Sequence, residues 1–200
     1  MKVGVLGGTF DPIHNGHLYI AEEAMNRLSL DKLIFMPSGN PPHKKNKNIL
    51  DGTLRYELIK SVIRDKEKFY ISDFEILKKG LSYTYETLQY IKEDLGTDIE
   101  IYFITGADCL IDIYKWKNIN ELFKLCKFVV FYRKGFTVDE ILKQKKKVEE
   151  EFNVEIIFLH LLEMNISSTY IREAIKNEES LSFLLPPSVE YIIKELRLYK

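Results

Sequence analysis

Two histidines three residues apart, His14 and His17, stand in a run of turn-forming residues, Gly7-Gly-Thr-Phe-Asp-Pro-Ile-His-Asn-Gly-His17. Imidazole N–H groups beside the start of a helix suit an anion, because a helix N-terminus has unpaired amides and a favourable dipole. A second cluster of this kind comes late in the chain. Ile166-Ser-Ser-Thr-Tyr-Ile-Arg172 offers three hydroxyls, free amides and a guanidinium, a small phosphate cradle. Lys44, in Pro37-Ser-Gly-Asn-Pro-Pro-His-Lys44, places a cation soon after a strand end, within reach of polyphosphate. Asp108, in Thr105-Gly-Ala-Asp108, places an acid just past another strand. Trp116 has charged neighbours in Tyr114-Lys-Trp-Lys117, which favours a partly exposed ring able to stack on a planar ligand, with rim packing as the alternative. No serine or cysteine is paired with a base, so the inventory suits phosphoryl chemistry done by positioning and charge stabilisation.

The glycine loop is none of the commoner phosphate or metal motifs. No Gly-Lys-Ser/Thr follows it, so it is not a Walker loop, and Gly4, Gly7 and Gly8 do not fit Gly-x-Gly-x-x-Gly. His-Glu-x-x-His is also missing, and Gly16 between the histidines is a poor spacer for two metal ligands on a rigid helix.

These residues need a frame to bring them together. Val3, Val5 and Leu6 form a short apolar run closed by Gly7-Gly8, a buried strand. Leu18, Ala21, Met25 and Leu28 then recur at helical spacing, so a helix opens at about Gly16. Further strands are expected at Leu33–Met36, Phe69–Ser72, Glu100–Ile104, Phe128–Tyr132 and Val154–Leu159, with Asp73 to Lys79 as an edge continuation of the third. Helices are expected after Asp51, after the hydroxyl-rich turn Ser82-Tyr-Thr-Tyr85, after the capping box Thr137/Glu140, after Ser167 and over Val189 to Leu196. The alternation predicts a Rossmann-like, doubly wound α/β fold: a mainly parallel sheet of about six strands flanked by helices, with a small helical C-terminal part. One domain over residues 1–200 is expected, residues 166–200 packing on it. Every loop singled out above would then follow a strand and lie on one edge of the sheet.

Composition narrows the partners. A net charge of −1 gives no basic field for nucleic acid, and 46% hydrophobic with 30% charged residues is ordinary for a globular protein. No cleavable leader and no run of eighteen apolar residues is present, so no membrane partner is expected. Cys109 and Cys126 lack metal or redox spacing and fit a reducing cytoplasm as small buried hydrophobes.

Taken together, Gly7 to His17, Pro37 to Lys44, Ser82 to Leu88, Gly106-Ala-Asp108, Trp116 and Ile166 to Arg172 resemble the bacterial nicotinate-nucleotide adenylyltransferases of the His-x-Gly-His nucleotidyltransferase superfamily. The likeness spans nearly the whole chain, with the motifs in the family's order; only the closing Arg197-Leu-Tyr199 departs from the expected Gly-Leu-Tyr. It implies transfer of the adenylyl group of ATP to nicotinate mononucleotide, giving deamido-NAD and pyrophosphate, with Mg²⁺ arriving on ATP and no protein-built metal site. By that resemblance His14, His17, Lys44 and Arg172 act on the phosphates. ATP would contact Gly7, Gly8, Thr9, Phe10, Gly16, Gly106, Asp108, Ile166, Ser167 and Ser168, with Thr9 and Phe10 at the junction of the two substrates. Nicotinate mononucleotide would contact Ser38, Asn40, Tyr83, Thr84, Tyr85 and Trp116. The oligomeric state stays open, a homodimer included.

Three rivals remain on sequence grounds. A relative using phosphopantetheine or glycerol phosphate would keep the histidine loop but would not need Pro41-Pro-His-Lys44 or Trp116. A nucleotide sensor leaves two histidines and two phosphate cradles without a task. A metallohydrolase built on His14, His17, His43 and Asp108 predicts tightly bound zinc.

Overall fold

The computed structural model describes residues 1–39, 49–78, 80–131, 137–162 and 164–200. Six strands form one sheet in the order β3-β2-β1-β4-β5-β6. They are β1 (Lys2–Gly8), β2 (Lys32–Pro37), β3 (Phe69–Ile71), β4 (Glu100–Gly106), β5 (Lys127–Phe131) and β6 (Ile156–Leu159). All five pairings are parallel. The order reverses between β1 and β4, and at such a switch point the loops leaving two adjacent strands diverge and open a crevice.

Side chains alternate across each strand and build two cores. Val3, Val5, Ile101 and Phe103 face one side, where they meet α4 (Thr84–Leu95), α5 (Ala107–Ile111), α6 (Ile119–Leu125) and α7 (Val138–Phe152). Leu6, Phe35 and Ile104 face the other, against α1 (Asn15–Arg27), α2 (Gly52–Ile63), α8 (Ser168–Lys176) and α9 (Pro187–Glu195). The sheet is therefore covered on both faces, as its continuous apolar strands require. Ala21, Ala24, Ile59, Ile171, Val189 and Ile193 are each 2% exposed or less, so the C-terminal helices share one core with α1 and α2.

Local signals account for most boundaries. Asp51 accepts from Thr53 N–H at 2.8 Å and starts α2; Ser167 accepts from Tyr170 N–H at 3.1 Å and starts α8. The Thr137/Glu140 box closes reciprocally, with Glu140 N–H to Thr137 Oγ1 at 3.2 Å and Thr137 N–H to Glu140 Oε2 at 2.8 Å. One expectation fails. The segment after β3 forms α3 (Phe74–Leu77), a single helical turn, where an edge continuation of the strand is expected. Ser72 Oγ accepts from Phe74 N–H at 3.3 Å and Leu77 N–H reaches the Asp73 carbonyl at 2.9 Å, so local side-chain and turn bonds bend the chain away from the sheet edge. Helices α5 and α6 have no counterpart in the expected order. β6 starts two residues later than Val154, at Ile156, where pairing with Phe128 of β5 begins. Asn40, His43 and Lys44, with Lys79 and Tyr132 to Gly135, lie outside the described residues. Among the described residues no helix is long and apolar enough to cross a membrane.

Candidate active site

The loop from β1 to α1 sits at the switch point. His14 is the N-cap of α1 and His17 its third residue. The His14 N–H donates to His17 Nδ1 at 3.3 Å, and the rings stack with centroids 3.7 Å apart. With Nδ1 accepting, the neutral ring carries its proton on Nε2, so that edge is the donor. Phe10 backs His17 edge-on at 4.9 Å and Phe35 at 5.8 Å, and is itself 2% exposed. Its φ of 50° is left-handed, an uncommon state for an aromatic residue that the packing on both sides holds in place. A Cβ on Gly16 would lie 3.0 Å from His14 Nδ1 and Cε1, so the glycine leaves the ring its place.

The head of α8 converges on the same loop. Ser168 Oγ donates to the Pro12 carbonyl at 2.9 Å, and Arg172 Nη1 donates to the Asp11 carbonyl at 2.7 Å. Arg172 Nη2 reaches Thr169 Oγ1 at 3.2 Å, and an added Cβ on Gly16 would lie 3.6 Å from Ile166 Cβ. Two helix N-termini thus open side by side, one carrying the histidines and one carrying two serines and an arginine.

A buried arginine that sequence reasoning passed over ties the loops together. Arg55, 2% exposed on α2, donates to the carbonyls of Thr9 at 2.7 Å, Ser38 at 2.8 Å and Leu50 at 2.9 Å. Burial lowers its pKa, against the pull of Asp11 and the other acids around it. The signal was there: Arg55 stands three and four residues before Leu58 and Ile59, on the apolar face of its helix. Ser38 N–H also donates to the Gly8 carbonyl at 2.8 Å, while its own buried Oγ has no hydrogen-bond partner among the described residues.

A second group of residues gathers around the head of α4. Lys117 Nζ lies 4.4 Å from the Tyr83 ring centroid, which joins the Trp116 segment to the Tyr83–Tyr85 turn. Trp116 is half-buried, edge-on to Phe103 at 6.0 Å and Phe128 at 6.2 Å. Glu75, also unforeseen, links this group to the first. Its Oε1 accepts from Thr87 Oγ1 of α4 at 2.7 Å, and a Cβ on Gly39 would meet the Glu75 carbonyl oxygen at 1.7 Å, so only glycine fits there. Burial pushes the Glu75 carboxyl above the usual carboxylate range, against hydrogen bonds from Thr87 and the Gly39 amide.

Asp108 is exposed in the first turn of α5, beside the end of β4. Among the described residues no three His, Cys, Asp or Glu side chains stand together as a metal site. Cys126 packs against the core, and burial pushes its thiol up to about 12, the behaviour of a small hydrophobe.

A parallel sheet with its phosphate-suited loops at the switch point defines a Rossmann-like nucleotide-handling protein, and residues 5–174 match the cytidylyltransferase-like family model. A "Probable nicotinate-nucleotide adenylyltransferase" of Clostridium novyi is 54% identical over 199 residues, covering 100% of this chain and 99% of the relative. One of the same name from Clostridium tetani is 53% identical over the same shares. The fold is also that of the Plasmodium falciparum nicotinic acid mononucleotide adenylyltransferase solved with NaAD, at TM-score 0.79 and 21% identity, covering 99% of this chain and 97% of that one. The chain belongs to the cytidylyltransferase-like family and, within it, to the nicotinate-nucleotide adenylyltransferases.

Proposed function

We infer that this protein transfers the adenylyl group of ATP to nicotinate mononucleotide in NAD biosynthesis, forming deamido-NAD and pyrophosphate. The observation that carries the reading is the convergence of two helix N-termini on one loop: α1 with His14 and His17, and α8 with Ser167, Ser168 and Arg172, joined by the Ser168 and Arg172 bonds to Pro12 and Asp11. Two anion-suited heads at one switch point fit a reaction that holds a triphosphate and a second phosphate together.

An oxygen of the mononucleotide phosphate attacks the α-phosphorus of ATP. The bond from that phosphorus to the bridging oxygen breaks, and pyrophosphate leaves with the electron pair. The nucleophile is already an anion, so no general base is required. The protein's work is alignment and stabilisation of charge growing on the α-phosphoryl and the leaving group. His17, held with its Nε2 edge as donor, contacts the α-phosphoryl in the transition state, with His14 beside it. Ser167, Ser168 and Arg172 hold the β,γ end, and Lys44 adds a further cation. Gly7, Gly8, Thr9 and Gly16 offer main-chain approach, with Phe10 acting as the wall behind His17. Gly106, Asp108 and Ile166 flank the nucleoside.

On the acceptor side, Trp116 stacks on the pyridine ring and the amides of Thr84 and Tyr85 at the head of α4 receive its carboxylate, with Tyr83 alongside. Ser38 contributes its buried hydroxyl, and Asn40, two residues on in the sequence, is assigned to the same substrate. Mg²⁺ would arrive with ATP and supply positive charge against its phosphates, with no residue of this chain required to cage it. We place the reaction in the cytoplasm and treat residues 1–200 as one domain. Incubation with Mg·ATP and nicotinate mononucleotide should yield deamido-NAD and pyrophosphate in equal amounts; pyrophosphate without dinucleotide would overturn the reading.

A further inference from the structure

The end of the chain reaches into the phosphate loop. Asp11 is 3% exposed, and three other segments, at Leu50, Arg172 and Tyr199, meet at it. Its Oδ1 accepts from Tyr199 Oη–H at 2.8 Å and from Leu50 N–H at 3.3 Å. Its Oδ2 stands 3.8 Å from Arg172 Nη1, and that same nitrogen donates to the Asp11 carbonyl at 2.7 Å. Tyr199 reaches this point from 188 residues away because Leu198 and Tyr199 pack against the core beneath α1. Arg197 and Tyr199 adopt left-handed φ of 49° and 67°, a conformation that non-glycine residues hold only when their surroundings fix it. Burial and the neighbouring Asp11 raise the phenol's pKa, so it stays protonated and remains a donor.

A buried carboxylate draws whichever donors it can reach, and a charged donor is preferred to a neutral one. Here the nearest charged donor is Arg172, the guanidinium that the proposed reaction needs on the ATP phosphates. It already forms a long ion pair with Asp11, at 3.8 Å. The phenol and the Leu50 amide occupy the other carboxylate oxygen.

We propose that Tyr199 is a positioning residue for ATP: by donating to Asp11 it limits that carboxylate's hold on Arg172 and keeps the guanidinium available to the phosphates. The proposal rests on the reading of Arg172 as a phosphate ligand and adds to it a control exerted from the C-terminus. Without the phenol oxygen, Asp11 regains a donor by closing on Arg172, and ATP must then compete with a buried carboxylate for the same group. Nicotinate mononucleotide, bound at the head of α4, is not in that competition.

The test is Tyr199→Phe, which keeps the ring and its packing and removes only the donor. Steady-state kinetics should show the ATP KM rising roughly three- to tenfold, the worth of one hydrogen bond, with the mononucleotide KM and Tm nearly unchanged. In an Asp11→Asn background the same change should have little effect, since a neutral amide does not compete for Arg172. Equal rises in both KM values together with a lowered Tm would overturn the proposal in favour of a purely structural tyrosine. An undiminished effect in the Asp11→Asn background would overturn it as well. Arg172→Ala separates the two layers. If it raises the ATP KM while Tyr199→Phe does not, the control by Tyr199 fails and the cradle stands. If neither variant moves the ATP KM, cradle and control fall together.

Discussion

The main chain of His14 fixes the side chain of His17. The His14 N–H donates to His17 Nδ1 at 3.3 Å, and the stacked rings, 3.7 Å apart, leave His17 little freedom to turn. One residue thereby sets which nitrogen of the other is the donor, and Phe10 closes the remaining side at 4.9 Å. A transition-state donor is useful only if its direction is set in advance.

His17→Ala should therefore lower kcat by about a hundredfold or more, the range for losing a preorganised oxyanion donor. Tm should fall only modestly, since His17 is half-buried and its loss removes one capping bond, that from the His14 N–H, at the start of α1. A near-normal kcat would remove His17 from the transition state.

Trp116→Ala should raise the KM for nicotinate mononucleotide well above any change for ATP. The ring leans edge-on against Phe103 and Phe128, so some stability will also be lost. Proportionate effects on both substrates would make the ring only a core element.

Arg55→Ala should be costly although the residue touches no substrate in the proposed reaction. It strips a donor from three carbonyls, those of Thr9, Ser38 and Leu50, and removes a cation near Asp11. A loss of about 3 kcal/mol or more is expected, read as a Tm lower by roughly 10 °C. Arg55→Lys should not restore it, because an ammonium cannot reproduce the planar fork across three acceptors. Full rescue by lysine in thermal melts would show that charge alone matters.

Glu75 gives the fold a pH dependence of known sign. Burial raises its pKa in the folded state, so between the unfolded and folded values the native protein holds more protons than the unfolded chain. Stability contributed by the protonated form is present at low pH and lost as pH rises through the folded pKa. Glu75→Gln should remove this part of the decline, and Tm measured from pH 4 to pH 8 should fall less steeply than in the parent. Parallel curves for the two proteins would mean that Glu75 titrates normally.

Much of this was legible in the chain itself, for identifiable reasons. The β1 run, the Thr137/Glu140 box and the Ser167 cap are local signals, and each produced the expected element. Asp73 to Lys79 misled because Asp73 to Ile76 alternate polar and apolar directly after β3, while Ser72 and Asp73 turn the chain into α3. The histidine loop announced itself through rare residue types at fixed spacing. Asp11, Arg55, Glu75 and Tyr199 did not, because their importance lies mainly in contacts distant in sequence, up to 188 residues away. Arg55 alone left a trace, a cation on an apolar helix face.

The central claim is adenylyl transfer to a pyridine mononucleotide, and pyrophosphate release with Mg·ATP tests it most directly. Nicotinate mononucleotide, its nicotinamide counterpart and phosphopantetheine should be offered in parallel. Release should be fast with nicotinate mononucleotide, slower with the amide and at background with phosphopantetheine. No release with either pyridine nucleotide, or release with phosphopantetheine alone, would contradict the account.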